Sequence, residues 1–484
     1  MKFTVGRDAL GEAVAWVARA LPSRPVIPVL SGLLLQAGEH GLTLSCFDYE
    51  VSARVRVAAD VEEAGMALVP GRLLAEITRS LPLLPAEFSC AADMVSLTCG
   101  GAEFTLVSLP VLDYPALPEP PEPAGTVDGG VLAAAAAQVV PSASRDDTLP
   151  MLTAVCLDID GAVMTLAATD RYRMAVRQVS WEPTAAGLRA AALVPAKTLA
   201  DVARTMAAGV PVTVAFGTSD DERGVPGSGT RAAATPASAL GEPRPAEGMI
   251  SFEGGGRRLT ARLIAGEFIR YRSRFPAEFS CRAELPAGPF IEAVRRVSLV
   301  AERASPVRLA FGPGLVVIEA QAEGRARAVE SVAADFVGNE RTISFNPHYL
   351  LDGLAAAAVS EAAAPGAARQ PATPGPAIPG EGGEAASAHG GRIRLEFSSA
   401  AKPALITWAS EEIPAARAGT EDGAAATGSA DADDAEPERA GAGDAETGGT
   451  GADRSGGEPV SRAGQESTPA FRYLVVPQRA PVRT

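Results

Sequence analysis

The sequence predicts an α+β chain in which one architecture is used three times, and two observations carry that reading. The first is a repeated sentence. Residues 68–82 (LVPGRLLAEITRSLP), 193–207 (LVPAKTLADVARTMA) and 343–357 (ISFNPHYLLDGLAAA) each join a short β-type run to a proline and then to apolar residues at helical spacing. The second is length. Three stretches, 218–248, 359–391 and 411–469, are rich in Ala, Gly, Pro, Ser and acids and lack apolar periodicity. Such stretches bury too little apolar surface to offset chain entropy, which predicts disorder. Setting them aside leaves 361 of the 484 residues, about 120 per repeat. The repeated prolines, Pro70, Pro195 and Pro347, lie 125 and 152 residues apart, and the excess of 27 is close to the length of the first insert. The domains expected are therefore 1–122, 127–277 with the insert 218–248, and 278–484 with the inserts 359–391 and 411–469.

Each repeat reads as strand, helix, three strands, helix, then a hairpin and a further strand. Residues 1–5 (MKFTV) alternate as a strand does, and residues 7–21 follow as a helix with Leu10, Val14, Val17 and Leu21 on one face. Residues 42–57 hold a strand pair. After the second helix, residues 95–109 form a hairpin turning at Gly100-Gly101. The second repeat matches it at 249–263, turning at Gly254–Gly256, and the third at 393–408, turning near 398–402. The runs LDYPALP (112–118) and IRYRSRFP (269–276) read as extended connections that end a domain.

Composition sets further bounds. Hydrophobic residues make up 47%, enough for large cores. The five cysteines, Cys46, Cys90, Cys99, Cys156 and Cys281, form no CxxC pair, which points to reduced thiols and a cytoplasmic home. Asp8, Glu12 and Arg19 interrupt any leader-like run, and no apolar run is long enough to span a bilayer. The net charge of -15 argues against a nucleic-acid partner. Yet residues 411–469 alone hold 14 acidic and 4 basic residues, so a mildly acidic remainder can still carry a basic face.

Seven motifs in order then point to one family. They are MKFTVGRDAL (1–10), LPSRPVIPVLSGLLLQ (21–36), LVPGRLL (68–74), RDDTLPML (145–152), LAATDRYRMAV (166–176), GEFIRYRSRFP (266–276) and YLVVPQR (473–479). Together they resemble the bacterial β sliding clamp, the processivity subunit of DNA polymerase III, over nearly all of the chain outside the inserts. The resemblance implies three clamp-type domains per chain, with antiparallel sheets outside and helices lining a hole. It implies a head-to-tail homodimer that closes as a ring around double-stranded DNA without reading sequence. The implied partners are the polymerase III catalytic subunit, the clamp loader and other clamp-binding-motif proteins. It implies no membrane, no cofactor, no metal and no catalytic residues of its own.

A ring that holds duplex DNA without sequence preference needs cations facing phosphates. Basic residues fall on or beside the repeated helices: Arg7, Arg19, Arg24, Arg72, Arg79, Arg145, Lys197, Arg204, Arg295, Arg296 and Arg303. By resemblance the DNA-contacting positions are Arg24, Arg72 and Lys197, with Arg145. The alternative for any single arginine is a solvated helix face, but Arg72 and Lys197 both stand two residues after the repeated proline. The partner-peptide groove carries over to Leu152, Thr169, Arg171, Tyr172, Arg173, Met174, Ile269, Arg274, Asn346, Tyr349, Leu474 and Val476. Apolar Leu, Met and Val suit a peptide's Leu or Phe, and Arg and Asn suit its rim. Core packing is the equal alternative for Leu152, Leu474 and Val476. The family commonly has Pro at the place of Ile269 and an aliphatic residue at that of Arg274. A charge there disfavours purely apolar peptides or favours acidic ones. Two variants of the functional reading stay open: a second, inhibitor-tolerant clamp with an altered groove, or a clamp-fold interaction protein that does not encircle DNA.

Catalytic readings find little support. His40, His348 and His389 have no Cys or acid-base partner nearby in sequence, although His348 could face DNA. Asp158 and Asp160 alternate on a strand that ends in a turn, and the Gly254–Gly256 run turns a hairpin rather than opening a helix.

Overall fold

The computed structural model describes residues 1–91, 93–206, 209–218, 244–302, 305–322, 324–359, 391–409 and 470–478. Every repeat has the same order: a strand, a helix, five strands where three were expected, a helix and three strands. In the first, β1 is Lys2–Val5, α1 Arg7–Val17, β2 Gly32–Gly38, β3 Gly41–Phe47, β4 Val51–Val57, β5 Ala59–Glu63, β6 Gly65–Pro70, α2 Gly71–Ser80, β7 Ala86–Ala91, β8 Met94–Cys99 and β9 Ala102–Val107. In the second, β10 is Pro123–Asp128, α3 Gly129–Val139, β11 Ala154–Asp160, β12 Val163–Thr169, β13 Arg173–Ser180, β14 Glu182–Pro183, β15 Arg189–Pro195, α4 Ala196–Thr205, β16 Pro211–Thr218, β17 Arg244–Gly254 and β18 Arg257–Arg262. In the third, β19 is Cys281–Pro286, α5 Ala287–Ser298, β20 Val307–Gly312, β21 Leu315–Ala322, β22 Ala326–Ala333, β23 Asp335–Val337, β24 Arg341–Phe345, α6 Pro347–Val359, β25 Arg392–Phe397, β26 Ala404–Ala409 and β27 Phe471–Val475.

The expected insert at 218–248 is shorter than its composition suggests. Strand β16 runs to Thr218 and β17 already begins at Arg244, where it lies parallel to β15. Helix α6 ends at Val359, and the Gly391 carbonyl accepts from Ala287 N–H, so the second insert is also trimmed. The rest of all three inserts lies outside the described residues. The expected hairpin turns fall as read, at Gly100-Gly101, Gly255-Gly256 and 398–403.

Local chemistry explains the helices. On α2, Leu74, Ala75, Ile77 and Thr78 are buried while Arg72, Glu76 and Arg79 face solvent. The amphipathic stripe is what docks it, because so short a helix is marginal alone. Helix α3 starts on an aspartate cap, the Asp128 side chain accepting from Val131 N–H at 2.9 Å. The two helices of each repeat pack together, and one continuous apolar core runs under all three repeats.

The repeats join through their sheets. The four strands β6-β2-β3-β4 continue without a break into β18-β17-β16-β10-β14, and β15-β11-β12-β13 continue into β27-β26-β25-β19-β23. Each junction is an antiparallel strand pair in the same register: Ala53 lies opposite Leu259, and Ala175 opposite Tyr473. The alanines are buried and so are the large residues facing them. Tyr473 also presses on Gly353 of α6, where an added Cβ would fall 2.4 Å from the ring. Two partial sheets are left over, the four-stranded β24-β20-β21-β22 and the five-stranded β9-β8-β7-β1-β5. Among the described residues, β22 and β9 have no second partner strand.

Candidate nucleic-acid interface and partner groove

At the first junction the helix starts converge on a cavity of about 470 Å³. Arg19, Arg24, Arg72 and Lys197 line it together with Asp48 and Asp201, over a floor that includes Trp16, Leu21, Val51 and Leu259. The Arg72 guanidinium donates to the Pro22 carbonyl at 3.1 Å, which steadies it across the mouth. Asp201 is paired with Arg204 at 2.7 Å, and Asp48 accepts from its own loop's Glu50 and Val51 N–H groups. Among the described residues, Arg19, Arg24 and Lys197 make no ion pair, so their charge is available to an outside anion.

Three of the four expected DNA positions therefore meet in one place. Arg145 does not join them. It is exposed at the second junction, next to Asp146. The Thr148 backbone N–H, ahead of its hydroxyl, holds the Asp146 carboxyl below its ordinary range. Other basic candidates are already committed. Arg7 donates to the carbonyls of Arg79 and Leu81 at the end of α2, Arg295 pairs with Glu292, and Arg296 pairs with Glu330. Arg303 lies outside the described residues.

The residues expected to form the groove gather at the second junction. Met174 and Leu474 lie opposite each other across β13 and β27, in one apolar cluster with Ile269 and Tyr271. Leu152 is buried on a 3₁₀ turn, Pro150–Leu152. Thr169 fixes the β12–β13 loop: its hydroxyl donates to the Arg173 carbonyl at 2.6 Å and accepts from Arg171 N–H at 3.2 Å. Val476 N–H donates to the Tyr172 carbonyl at 2.8 Å, and Tyr172 is exposed and stacks on Tyr349 with centroids 6.2 Å apart. Arg274 is exposed at the end of the turn Tyr271–Arg274.

Two residues read as groove rim are placed otherwise. Arg173 has a side chain only 10% exposed and ties the two domains together. It bonds Asp170 at 3.0 Å, Asp352 of α6 and the Pro141 carbonyl, and it lies over the Tyr349 ring at 4.5 Å. Asn346 caps α6, its side-chain oxygen accepting from His348 N–H at 2.9 Å and Tyr349 N–H at 3.3 Å. Residue type alone could not show these uses.

Sequence reasoning missed the strap that holds the wall. The Tyr271 hydroxyl donates to the buried Asp158 carboxylate at 2.6 Å, and Arg272 donates to the same oxygen at 2.9 Å. Burial, and after it the Asp158 hydrogen bond, pushes the Tyr271 hydroxyl above its ordinary range. The first connection does the same work differently, Tyr114 accepting from Phe47 N–H at 2.8 Å. A tyrosine in both connecting runs was the available signal. Asp158 and Asp160, the latter bonded to Arg189 at 2.9 Å, are thus committed to structure. Among the described residues no group of three or more His, Cys, Asp or Glu could hold a metal ion, and no helix is long and apolar enough to cross a membrane.

Arg171 has φ +79° and Tyr49, at the same place in the first repeat, has φ +72°. In the third repeat, Gly324 takes this left-handed position with φ +69°. A non-glycine residue there costs about 1–2 kcal/mol. Arg171→Gly is therefore expected to raise thermal stability slightly, by up to about 1 kcal/mol after the unfolded-state entropy of glycine is counted. A clear fall in Tm would show that the Arg171 side chain holds the loop.

A three-repeat chain with matched strand junctions, two half-sheets left unmatched among the described residues and cations gathered at helix starts defines a ring-forming, DNA-holding class of protein. The comparisons agree. The N-terminal, central and C-terminal domains of the DNA polymerase III beta subunit family match residues 1–118, 126–269 and 272–363. The beta sliding clamp of Streptomyces coelicolor is 50% identical over 356 residues, covering 74% of this chain and 88% of that one. The beta sliding clamp of Micrococcus luteus is 42% identical over 332 residues, covering 69% and 98%. The beta sliding clamp homolog GriR of Streptomyces muensis is 40% identical over 354 residues, covering 73% and 88%. The crystal structure of the Bacillus subtilis DNA polymerase sliding clamp shares the fold, with TM-score 0.70 at 20% identity over 99% of both chains. The chain belongs to the DNA polymerase III beta subunit family and is a DNA sliding clamp of replication, a non-catalytic processivity subunit.

Proposed function

We propose that two copies of this chain join head to tail and encircle duplex DNA, with Arg24, Arg72 and Lys197 facing the phosphates at the first junction and Arg145 facing them apart from that set. The carrying observation is the pair of leftover half-sheets. Inside the chain, four strands of one repeat always meet five of the next. The open β24-β20-β21-β22 and β9-β8-β7-β1-β5 are such a four and a five. Matching positions put Phe104 of β9 opposite Ala328 of a second copy's β22, as Leu259 meets Ala53 and Tyr473 meets Ala175. A heterologous contact of this kind closes a ring when its rotation permits. The domain limits 1–122, 127–277 and 278–484 fit this division, and the five free cysteines suit a cytoplasmic setting.

The groove at the second junction then takes short peptides with apolar anchors from the polymerase III catalytic subunit, the clamp loader and other partners. Met174, Leu474, Ile269, Leu152 and Val476 supply the apolar contact, with Tyr172 and Tyr349 stacked beside it. Exposed Arg274 favours peptides with an acid next to the anchor.

The test is topological. A ring opened onto nicked circular DNA by a clamp loader should stay bound through a high-salt wash and leave when the circle is cut. Equal retention on cut and uncut circles would rule out encirclement.

A further inference from the structure

We infer that His348 is the third member of a phosphate-facing set with Arg72 and Lys197, and that it makes the third domain's hold on DNA depend on pH. The inference rests on the reading above that the second helix of each repeat starts toward the duplex.

Proline spacing hides the equivalence. Pro70 and Pro195 immediately precede their helices, whereas Pro347 is the first residue of α6. The structural partner of Pro70 and Pro195 is Asn346. Burial gives the true register. Gly71, Ala196 and Pro347 are buried at the first helical position, and Leu74, Leu199 and Leu350 are wholly buried at the fourth. Between them, Arg72, Lys197 and His348 are all exposed at the second.

Position in the whole chain follows from the junctions. The first and second repeats, and the second and third, are joined by the same strands in the same register. The step that carries Arg72 to Lys197 therefore carries Lys197 to His348. Arg72 and Lys197 already share one cavity wall.

Histidine is the side chain that changes charge between pH 5 and 8. A cation at this position is thus permanent in two repeats and conditional in the third. The charged groups around the start of α6 come from three neighbours. The segment after α3 carries Arg145, Asp146 and Asp147, the β12–β13 loop carries Asp170 and Arg171, β13 opens with Arg173, and α6 itself carries Asp352 one turn on. Arg173 is spent on Asp170 and Asp352. Helix α3 carries no charge, α5 carries Glu292, Arg295 and Arg296, and the strands packed on α6 carry Arg392, Arg394, Glu396 and Arg472.

The experiment measures binding of a short linear duplex as log K against log salt, at about pH 5.5 and about pH 8. Each added phosphate contact steepens the slope by about one, so acid should steepen the wild-type slope by about two per two-chain ring. His348→Ala should keep the shallower slope at both pH values, and His348→Arg the steeper one. The double variant His40→Ala, His389→Ala should respond to pH as wild type does. A pH response surviving in His348→Ala, or none in wild type, would overturn the inference. The underlying reading fails separately: if Arg72→Ala with Lys197→Ala leaves the slope unchanged at both pH values, the helix starts do not face DNA.

Discussion

Phe104→Asp is expected to leave the chain folded but monomeric, with a solution mass of 49.4 kDa in place of twice that value. Phe104 lies on the open edge strand β9, half-buried in the single chain, with Leu97 beneath it across β8. Its counterparts Leu259 and Tyr473 are fully covered by their junctions, at 5% and 0% exposure. On the proposed ring, closure would cover Phe104 in the same way. The neighbouring Val107 and, on the facing edge, Val329 are 62% and 49% exposed, so each edge presents apolar surface as well as free backbone groups. An aspartate forfeits about 2–3 kcal/mol of apolar burial. It also buries a carboxylate opposite alanine, at a cost of several kcal/mol more. With about 1.4 kcal/mol per decade, the dimer should weaken by roughly three orders of magnitude or more. Ala328→Glu on the opposite edge tests the same contact without touching the β9 core, because alanine stands opposite a large apolar or aromatic side chain at both junctions within the chain. Sedimentation or light scattering at micromolar concentration reads both. If both variants keep the wild-type mass, the half-sheets do not meet in this register.

The repeat was legible because its signal is local. Apolar spacing at Leu74, Leu199 and Leu350 needs only one helix turn to be seen, and glycine pairs mark two of the hairpins. One of the two extra strands in each repeat was not legible at all. β5, β14 and β23 have the sequences ADVEE, EP and DFV, too short and too polar to show alternation. They sit at the margins of sheets, where neighbouring backbone rather than side-chain pattern decides pairing. Of the apolar residues read as a groove, Met174, Leu474 and Ile269 lie in one cluster. Residue type could not distinguish an arginine at the rim from one inside, since Asp352 is 179 positions away from Arg173 in the chain. The third-repeat proline misled in another way. Proline is favoured both before and at the first helical turn, so it marks a helix start only to within a residue.

Arg173→Ala should be the most destabilising single truncation at the second junction, by about 3–5 kcal/mol, the range for removing one partner of a buried ion pair. The asymmetry of exposure supports the size. Arg173 and Asp170 are 10% and 12% exposed, whereas Asp352 is 43% exposed. Without the guanidinium, Asp170 keeps only the backbone N–H groups of Tyr172 and Arg173 at 3.0 Å, and its charge stays buried. Asp352→Asn should cost far less, about 1 kcal/mol or under, because water can reach that carboxylate. Arg173→Lys should fall between, keeping the charge but losing the fork that reaches Asp170, Asp352 and Pro141 together. The same guanidinium holds Tyr349 against the β12–β13 loop, so its loss separates the two walls of the groove. Peptide affinity at the proposed groove should therefore drop roughly tenfold or more, about 1.4 kcal/mol, even though the head group is buried. Urea melts of the full chain and anisotropy with a labelled partner peptide measure the two effects. Stability within about 1 kcal/mol of wild type for Arg173→Ala would show that strand pairing between β13 and β27 holds the junction unaided.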